Sequence, residues 1–267
     1  MDAYAALGDR WTVPVEEVDV DTSFGRTHAL ASGPTGGRPL VLLPGGGASA
    51  AVWFAVAGIL GRRVVCVDLL GDTGRSAAGG RPIGSPTDLA TWLDETLDGL
   101  GADVVDLGGH SYGGWIALRY ALDRPDRVRR LALLDPTRCF TGMRPGYLLH
   151  ALAPLLRPTP ARWGAFLEWE TGGRGLDVGW RELVVHQGRA SVDVQPRRPR
   201  SEELRGLGLP VLVLVAELSR QHDIRALAAG AQLLPDVRVR TLPGVSHHQV
   251  PTEQPEALAT ELRAFLD

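Results

Sequence analysis

The sequence contains no lysine: all 28 of its formally positive side chains are arginine, set against 31 acidic ones for a net charge of −3. No basic stripe or polybasic tail is present, which excludes binding to nucleic acid through its phosphates as an expected role. Cysteine is almost as scarce. Cys66 and Cys139 cannot build a disulfide framework. Cys66 sits in the apolar run Val64-Val65-Cys66-Val67 and reads as a small buried hydrophobe. Cys139 follows a strand end and is not expected to be catalytic. Long hydrophobic runs are missing too: nothing approaches the roughly 18 apolar residues of a membrane helix. The stretch from Met1 to Arg10 lacks the positive start and apolar core of a signal peptide. A soluble, cytoplasmic protein is the expectation. The histidines are scattered, and neither a His-Glu-x-x-His pattern nor clustered cysteines occur, so no metal or cofactor is expected.

What is present is enough apolar material for a sizeable core, 44% of 267 residues, in one large domain or one domain with an insertion. Val13 to Thr27 alternates like antiparallel edge strands, with a turn near Ser23-Phe24-Gly25. Six short, dense apolar runs follow: Pro39 to Leu43, Arg63 to Leu69, Asp103 to Leu107, Val128 to Leu134, Pro210 to Val215 and Val237 to Leu242. Runs without alternation suit strands buried on both faces of a parallel sheet. Helical spacing appears between and after them, at Leu89 to Leu100, Trp115 to Leu122 and Pro255 to Leu266. Strand and helix alternate, so the class is α/β, a mostly parallel sheet flanked by helices.

One stretch breaks this rhythm. From Thr137 to Glu203 there are aromatic clusters but no buried-strand run, and the stretch is too long for a structureless loop. A helical insertion covering one end of the sheet accounts for it, with the core formed by residues 1–136 and 204–267 and the insertion by 137–203. Pro196-Arg197-Arg198-Pro199-Arg200 reads as part of the exposed return linker.

Three segments carry chemistry. Gly109-His110-Ser111-Tyr112-Gly113 lies between a buried strand and a helix, so Ser111 sits on a tight turn that small residues on either side permit. The turn exposes the hydroxyl above the sheet, and the following helix points its positive end at any anion formed there. Pro44-Gly45-Gly46-Gly47-Ala48-Ser49 ends an earlier strand and lets backbone amides approach a ligand. Gly46 and Tyr112 are the expected oxyanion donors. The glycine run lacks the Gly-Lys-Ser/Thr ending and the Gly-x-Gly-x-x-Gly spacing of phosphate-binding loops. His247 and His248 follow the last strand, and one of them is the expected base, because a serine hydroxyl attacks poorly until an imidazole takes its proton.

With these segments in place, the chain resembles the α/β-hydrolase superfamily, especially its lidded esterase-like and aminopeptidase-like members, over Val13 to Leu266. The resemblance implies the α/β-hydrolase fold with a helical lid inserted after the sixth strand, the one ending at Leu134. It implies Ser111 as nucleophile. Anchoring on Pro243-Gly244 implies His247 as base, whereas counting back from Glu253 favours His248. Two positions depart from the family pattern. Pro44 stands where a histidine is common, and Ser219, in Ala216-Glu217-Leu218-Ser219, stands where the acid of the triad is usual. Asp135, Asp223 and Glu217, in that order of preference, are the candidates to replace it.

The leading expectation is therefore a serine hydrolase that cleaves a small or medium apolar carboxylic ester or thioester through an acyl-enzyme. A non-hydrolytic enzyme (cyclase, lyase or acyl transferase) on the same fold is the second reading, motivated by Pro44 and Ser219. An inactive binding protein is the third. Trp163, Phe166 and Trp169 either line an apolar pocket or pack the insertion. An aminopeptidase would need a carboxylate for the substrate amine, which Glu168 or Glu170 would supply. The expected partner is a small-molecule substrate, with no nucleic acid and no membrane insertion.

Overall fold

A computed structural model describes residues 3–187 and 194–267. Residues 188–193, part of the expected insertion and return linker, and the first two residues lie outside the described residues. The chain opens with the short helix α1 (Ala3–Gly8) and an antiparallel hairpin of β1 (Val15–Thr22) and β2 (Gly25–Ser32), closed where Thr22 faces Gly25. Then come β3 (Leu40–Leu43), α2 (Phe54–Ala57), β4 (Val64–Val67), α3 (Pro86–Gly99), β5 (Val105–His110), α4 (Ser111–Asp123) and β6 (Val128–Leu134). Three helices, α5 (Pro145–Leu156), α6 (Pro160–Thr171) and α7 (Val178–Gln187), precede the short α8 (Ser201–Arg205). The core resumes with β7 (Val211–Ala216), α9 (Ile224–Ala231), β8 (Val237–Leu242) and α10 (Pro255–Leu266).

The strands lie in the order β1-β2-β4-β3-β5-β6-β7-β8, and a two-residue strand, Ala77–Ala78, pairs with the start of β2. From β4 to β8 every pairing is parallel. Every residue of β3, β4, β5 and β7 is buried, as the unbroken apolar runs require of strands covered on both faces. Successive residues serve opposite faces. Val41 and Leu43 pack with Trp92, Leu97, Trp115 and Leu118 of α3 and α4, whereas Leu40 and Leu42 pack with Trp53, Leu258 and Leu262 on the side of α2 and α10. Helix α3 starts where its cap dictates: the Ser85 hydroxyl accepts the Asp88 N–H at 3.1 Å, and Pro86 occupies the first turn.

The strand expected to stop at Leu107 runs on to His110, so the Gly108-Gly109 pair lies inside the sheet. Leu42 and Leu43 pair with these two glycines across the ladder, and Leu42 Cδ2 would stand 2.8 Å from a Cβ on Gly108. The glycines there make room for a neighbour; they do not mark a strand end. Helices α5 to α7 occupy the long aromatic stretch, and Tyr147, Phe166, Trp180 and Leu183 from them join the apolar cluster on the α2/α10 side. Among the described residues no helix is long and apolar enough to cross a membrane.

Candidate active site

The C-terminal ends of β3, β5, β6, β7 and β8 come out at one edge, and the chemistry-bearing residues collect there. Helix α4 begins at Ser111 itself, one residue after β5 ends. Ser111 takes the left-handed conformation, φ 54°, which costs a non-glycine residue about 1–2 kcal/mol. The surroundings enforce it. A Cβ on Gly109 would lie 2.3 Å from the Gly113 carbonyl oxygen, and one on Gly113 would lie 2.3 Å from that of Pro44. The bend therefore holds together only with glycine at both positions. Gly45 also brings its loop against the bend, since a Cβ there would be 3.2 Å from Ser111 Cβ.

The Ser111 hydroxyl lies 2.8 Å from His247 Nε2, and His247 Nδ1 lies 2.7 Å from Asp135 Oδ2. Asp135 is fully buried at the end of β6, with φ 43°. Its Oδ1 accepts the Ala216 N–H at 3.0 Å and His222 Nε2–H at 2.9 Å; its Oδ2 also accepts the Ser219 hydroxyl at 2.9 Å. The loop after β7 therefore supplies donors, where the family pattern leads one to expect an acid. Burial alone would push the Asp135 carboxyl up. His222 and His247 beside it outweigh burial and hold it well below its ordinary value. For His247 burial is the largest influence and lowers its pKa beneath the ordinary 6.5, while Asp135 pulls the other way. The ring is accordingly neutral at neutral pH, with Nδ1–H directed at Asp135 and the Nε2 lone pair at the serine.

His248 also lines the cavity but makes no hydrogen bond to the serine. Its Nδ1 is 3.1 Å from Glu170 Oε2, and the same carboxylate accepts the Ser246 hydroxyl at 2.8 Å and the His247 N–H at 2.9 Å. Glu170, buried on α6, holds the histidine loop and is not part of the cavity wall, so it cannot grip a substrate amine. Its burial would raise its pKa, but bonds from His248 and Ser246 hold it below the ordinary value. The other two candidate acids point elsewhere. Asp223 caps α9 by accepting the Ala226 N–H at 2.8 Å, and Glu217 accepts the Gly244 N–H at 2.8 Å. Neither reaches His247. A loop carboxylate next to a helix start or a turn finds backbone N–H donors locally, and that is where both went.

Gly46 and Tyr112 both line the cavity at Ser111, whose volume is about 370 Å³. Asp72 pins the adjoining loop, receiving the Gly47 N–H through both oxygens at 2.9 and 3.1 Å; burial pushes its carboxyl up to about 6. Trp163 and Phe166 stand in the cavity wall, together with Met143, Tyr147, Leu148 and Leu155. Trp169 lies outside the wall, stacked on His150 at 3.8 Å with Arg220 over its ring. Its flat face is taken up by His150 of α5 and Arg220 of the loop after β7.

Sequence reasoning missed Thr137, Gln221 and His222. Thr137 Oγ1 is 3.0 Å from the Ser111 hydroxyl and donates to Gln221 Oε1 at 3.1 Å, while Gln221 Nε2–H lies 3.1 Å from His247 Nε2. All three residues are polar positions in the loops that follow β6 and β7, three to six residues past the strand ends, and that placement was the available signal. Cys139 is fully buried, and burial pushes its thiol up.

The profile described as "Alpha/beta hydrolase family" matches residues 40–261. Carboxylesterase YbfK of Bacillus subtilis (strain 168) is 28% identical over 280 residues, covering 99% of this chain and 92% of its own length. The uncharacterized carboxylesterase nap of the same strain is 29% identical over 273 residues, covering 96% and 88%. The crystal structure of naproxen esterase (carboxylesterase NP) from Bacillus subtilis matches with a TM-score of 0.90 at 27% identity, covering 99% of this chain and 96% of that one.

Proposed function

Because the chain belongs to the alpha/beta hydrolase family, we propose that this hydrolase is a serine carboxylesterase, cleaving apolar carboxylic esters through an acyl-enzyme on Ser111. The observation that carries the reading is the continuous line from the Ser111 hydroxyl to His247 at 2.8 Å and on to Asp135 at 2.7 Å. In the first step Ser111 Oγ attacks the ester carbonyl carbon as its proton passes to His247 Nε2. Asp135 keeps the ring in the Nδ1–H tautomer and stabilises the imidazolium. The Gly46 and Tyr112 amides are assigned to the developing oxyanion, at the positive end of α4. The imidazolium returns the proton to the leaving alcohol, and water, deprotonated by the same nitrogen, then releases the acid. Helices α5 to α7 serve as a lid whose apolar side chains receive the acyl chain. The carboxylesterase names of the similar proteins support the same substrate class.

With a carboxylate at that distance from His247, the serine at position 219 no longer argues for a non-hydrolytic reaction. The test is Ser111→Ala, assayed on short-chain nitrophenyl esters beside labelling by a fluorophosphonate. Turnover is expected to fall by roughly 10⁴-fold or more, with labelling lost and the thermal midpoint little changed, because alanine bears the same left-handed strain as serine. Undiminished turnover in that variant overturns the proposal.

A further inference from the structure

Resting on the ester-hydrolysing reading above, we propose that Arg138 anchors a free carboxylate of the substrate, so that the preferred esters carry one, as half-esters of dicarboxylic acids do. Among the described residues of the cavity wall, Arg138 is the one permanently charged side chain; much of the rest is Met143, Tyr147, Leu148, Leu155, Trp163 and Phe166. Arg138 is itself exposed, so its charge acts from the solvent-facing part of this wall and is screened by salt. Arginine's planar fork also matches a carboxylate through two parallel hydrogen bonds.

Some of the other arginines hold carboxylates, while others, such as Arg130, Arg162 and Arg263, end on backbone carbonyls. Arg62 and Arg129 share Asp106, Arg119 holds Asp123 and Glu203, and Arg75 holds Glu17. Arg138 has no carboxylate partner among the described residues, and its guanidinium makes one long contact, 3.5 Å to the Pro196 carbonyl oxygen. Its backbone is held firmly. Arg138 is left-handed at φ 54° and set between buried Thr137 and Cys139. Thr137 donates its N–H to the Ser111 carbonyl at 3.1 Å and touches the nucleophile's hydroxyl. The cation is thus tethered one residue from a group in contact with the reacting atom, and faces a cavity whose described wall residues include no carboxylate.

The experiment compares monomethyl esters of the straight-chain diacids, from succinic to suberic, with methyl esters of monoacids of matched length, by pH-stat. In the wild type one diacid length is expected to exceed its neutral match in kcat/KM by about tenfold, mostly through KM, with the preference weakening as salt is added. Arg138→Leu should bring the charged-to-neutral ratio near one, Arg138→Glu should invert it, and Arg138→Lys should keep part of it. A wild type without preference, or a preference that survives Arg138→Leu, overturns the anchor and makes Arg138 a solvated surface charge. If neither series turns over, the hydrolytic reading fails separately. Calorimetric binding of adipate to wild type and Arg138→Leu then decides the anion site by itself: binding lost in the variant supports it, and no binding or equal binding overturns it.

Discussion

Two aspartates on neighbouring strands, Asp106 on β5 and Asp135 at the end of β6, are both fully buried, yet they sit at opposite ends of the sheet with opposite kinds of partner. Asp106 meets arginines: Arg62 at 2.6 Å, and both Nε and Nη2 of Arg129 at 2.7 Å. Those cations never deprotonate, so the cluster is a fixed brace. Asp135 meets two imidazoles, a hydroxyl and a backbone N–H. Its partners leave a charge that a passing proton on His247 can use. The same residue type, equally buried, becomes a strut where its partners hold permanent charge and a group suited to proton chemistry where they can gain one.

Substitutions should separate the two roles. Asp135→Asn is expected to lower kcat by roughly 10³–10⁴-fold, because an amide no longer favours the required tautomer or the imidazolium. Circular dichroism should still report a folded protein. Asp106→Asn should do the reverse, leaving two arginine heads without their anion at a cost of about 2–3 kcal/mol, read as a drop of the thermal midpoint with kcat within about twofold of wild type. If both variants lost activity equally, the division would be wrong.

The pH profile sharpens the contrast next. His247 must be neutral to accept the serine proton, and burial holds its pKa below 6.5. Activity therefore rises with pH through a midpoint below that value and is lost as pH falls beneath it. An acid limb centred above 6.5 would contradict the burial argument. The smallest effect is expected from His222→Ala, about tenfold in kcat/KM, the scale of one hydrogen bond to a charged group. Removing that donor leaves Asp135 a stronger base, so the acid limb should move to higher pH. His222→Gln, which restores an N–H, should return it toward the wild-type position.

The contrast also explains what could be read in advance. Ser111 was legible because a bend between a buried strand and a helix needs small residues at fixed offsets, and Gly109 and Gly113 stand there. His247 was legible only together with its neighbour. Nothing in the pair His247-His248 says which ring turns inward; the Glu170 carboxylate, 77 positions away from His247 in the chain, captures one and positions the other. Trp163 and Phe166 in the wall and Trp169 outside it have the same composition signal, and packing on His150 and Arg220 separates them.

Local chemistry in the sequence thus determined the α/β alternation and the position of the bend at Ser111. Those properties depend on neighbours a few positions apart: apolar runs, turn glycines and the start of a helix. Tertiary structure alone decided which carboxylate meets the His247 ring. Asp135 is 112 positions from His247 in the chain, and it meets the ring at 2.7 Å because parallel strands bring their C-terminal ends to one edge. At that edge, a buried carboxylate keeps its charge through groups the sequence never places next to it.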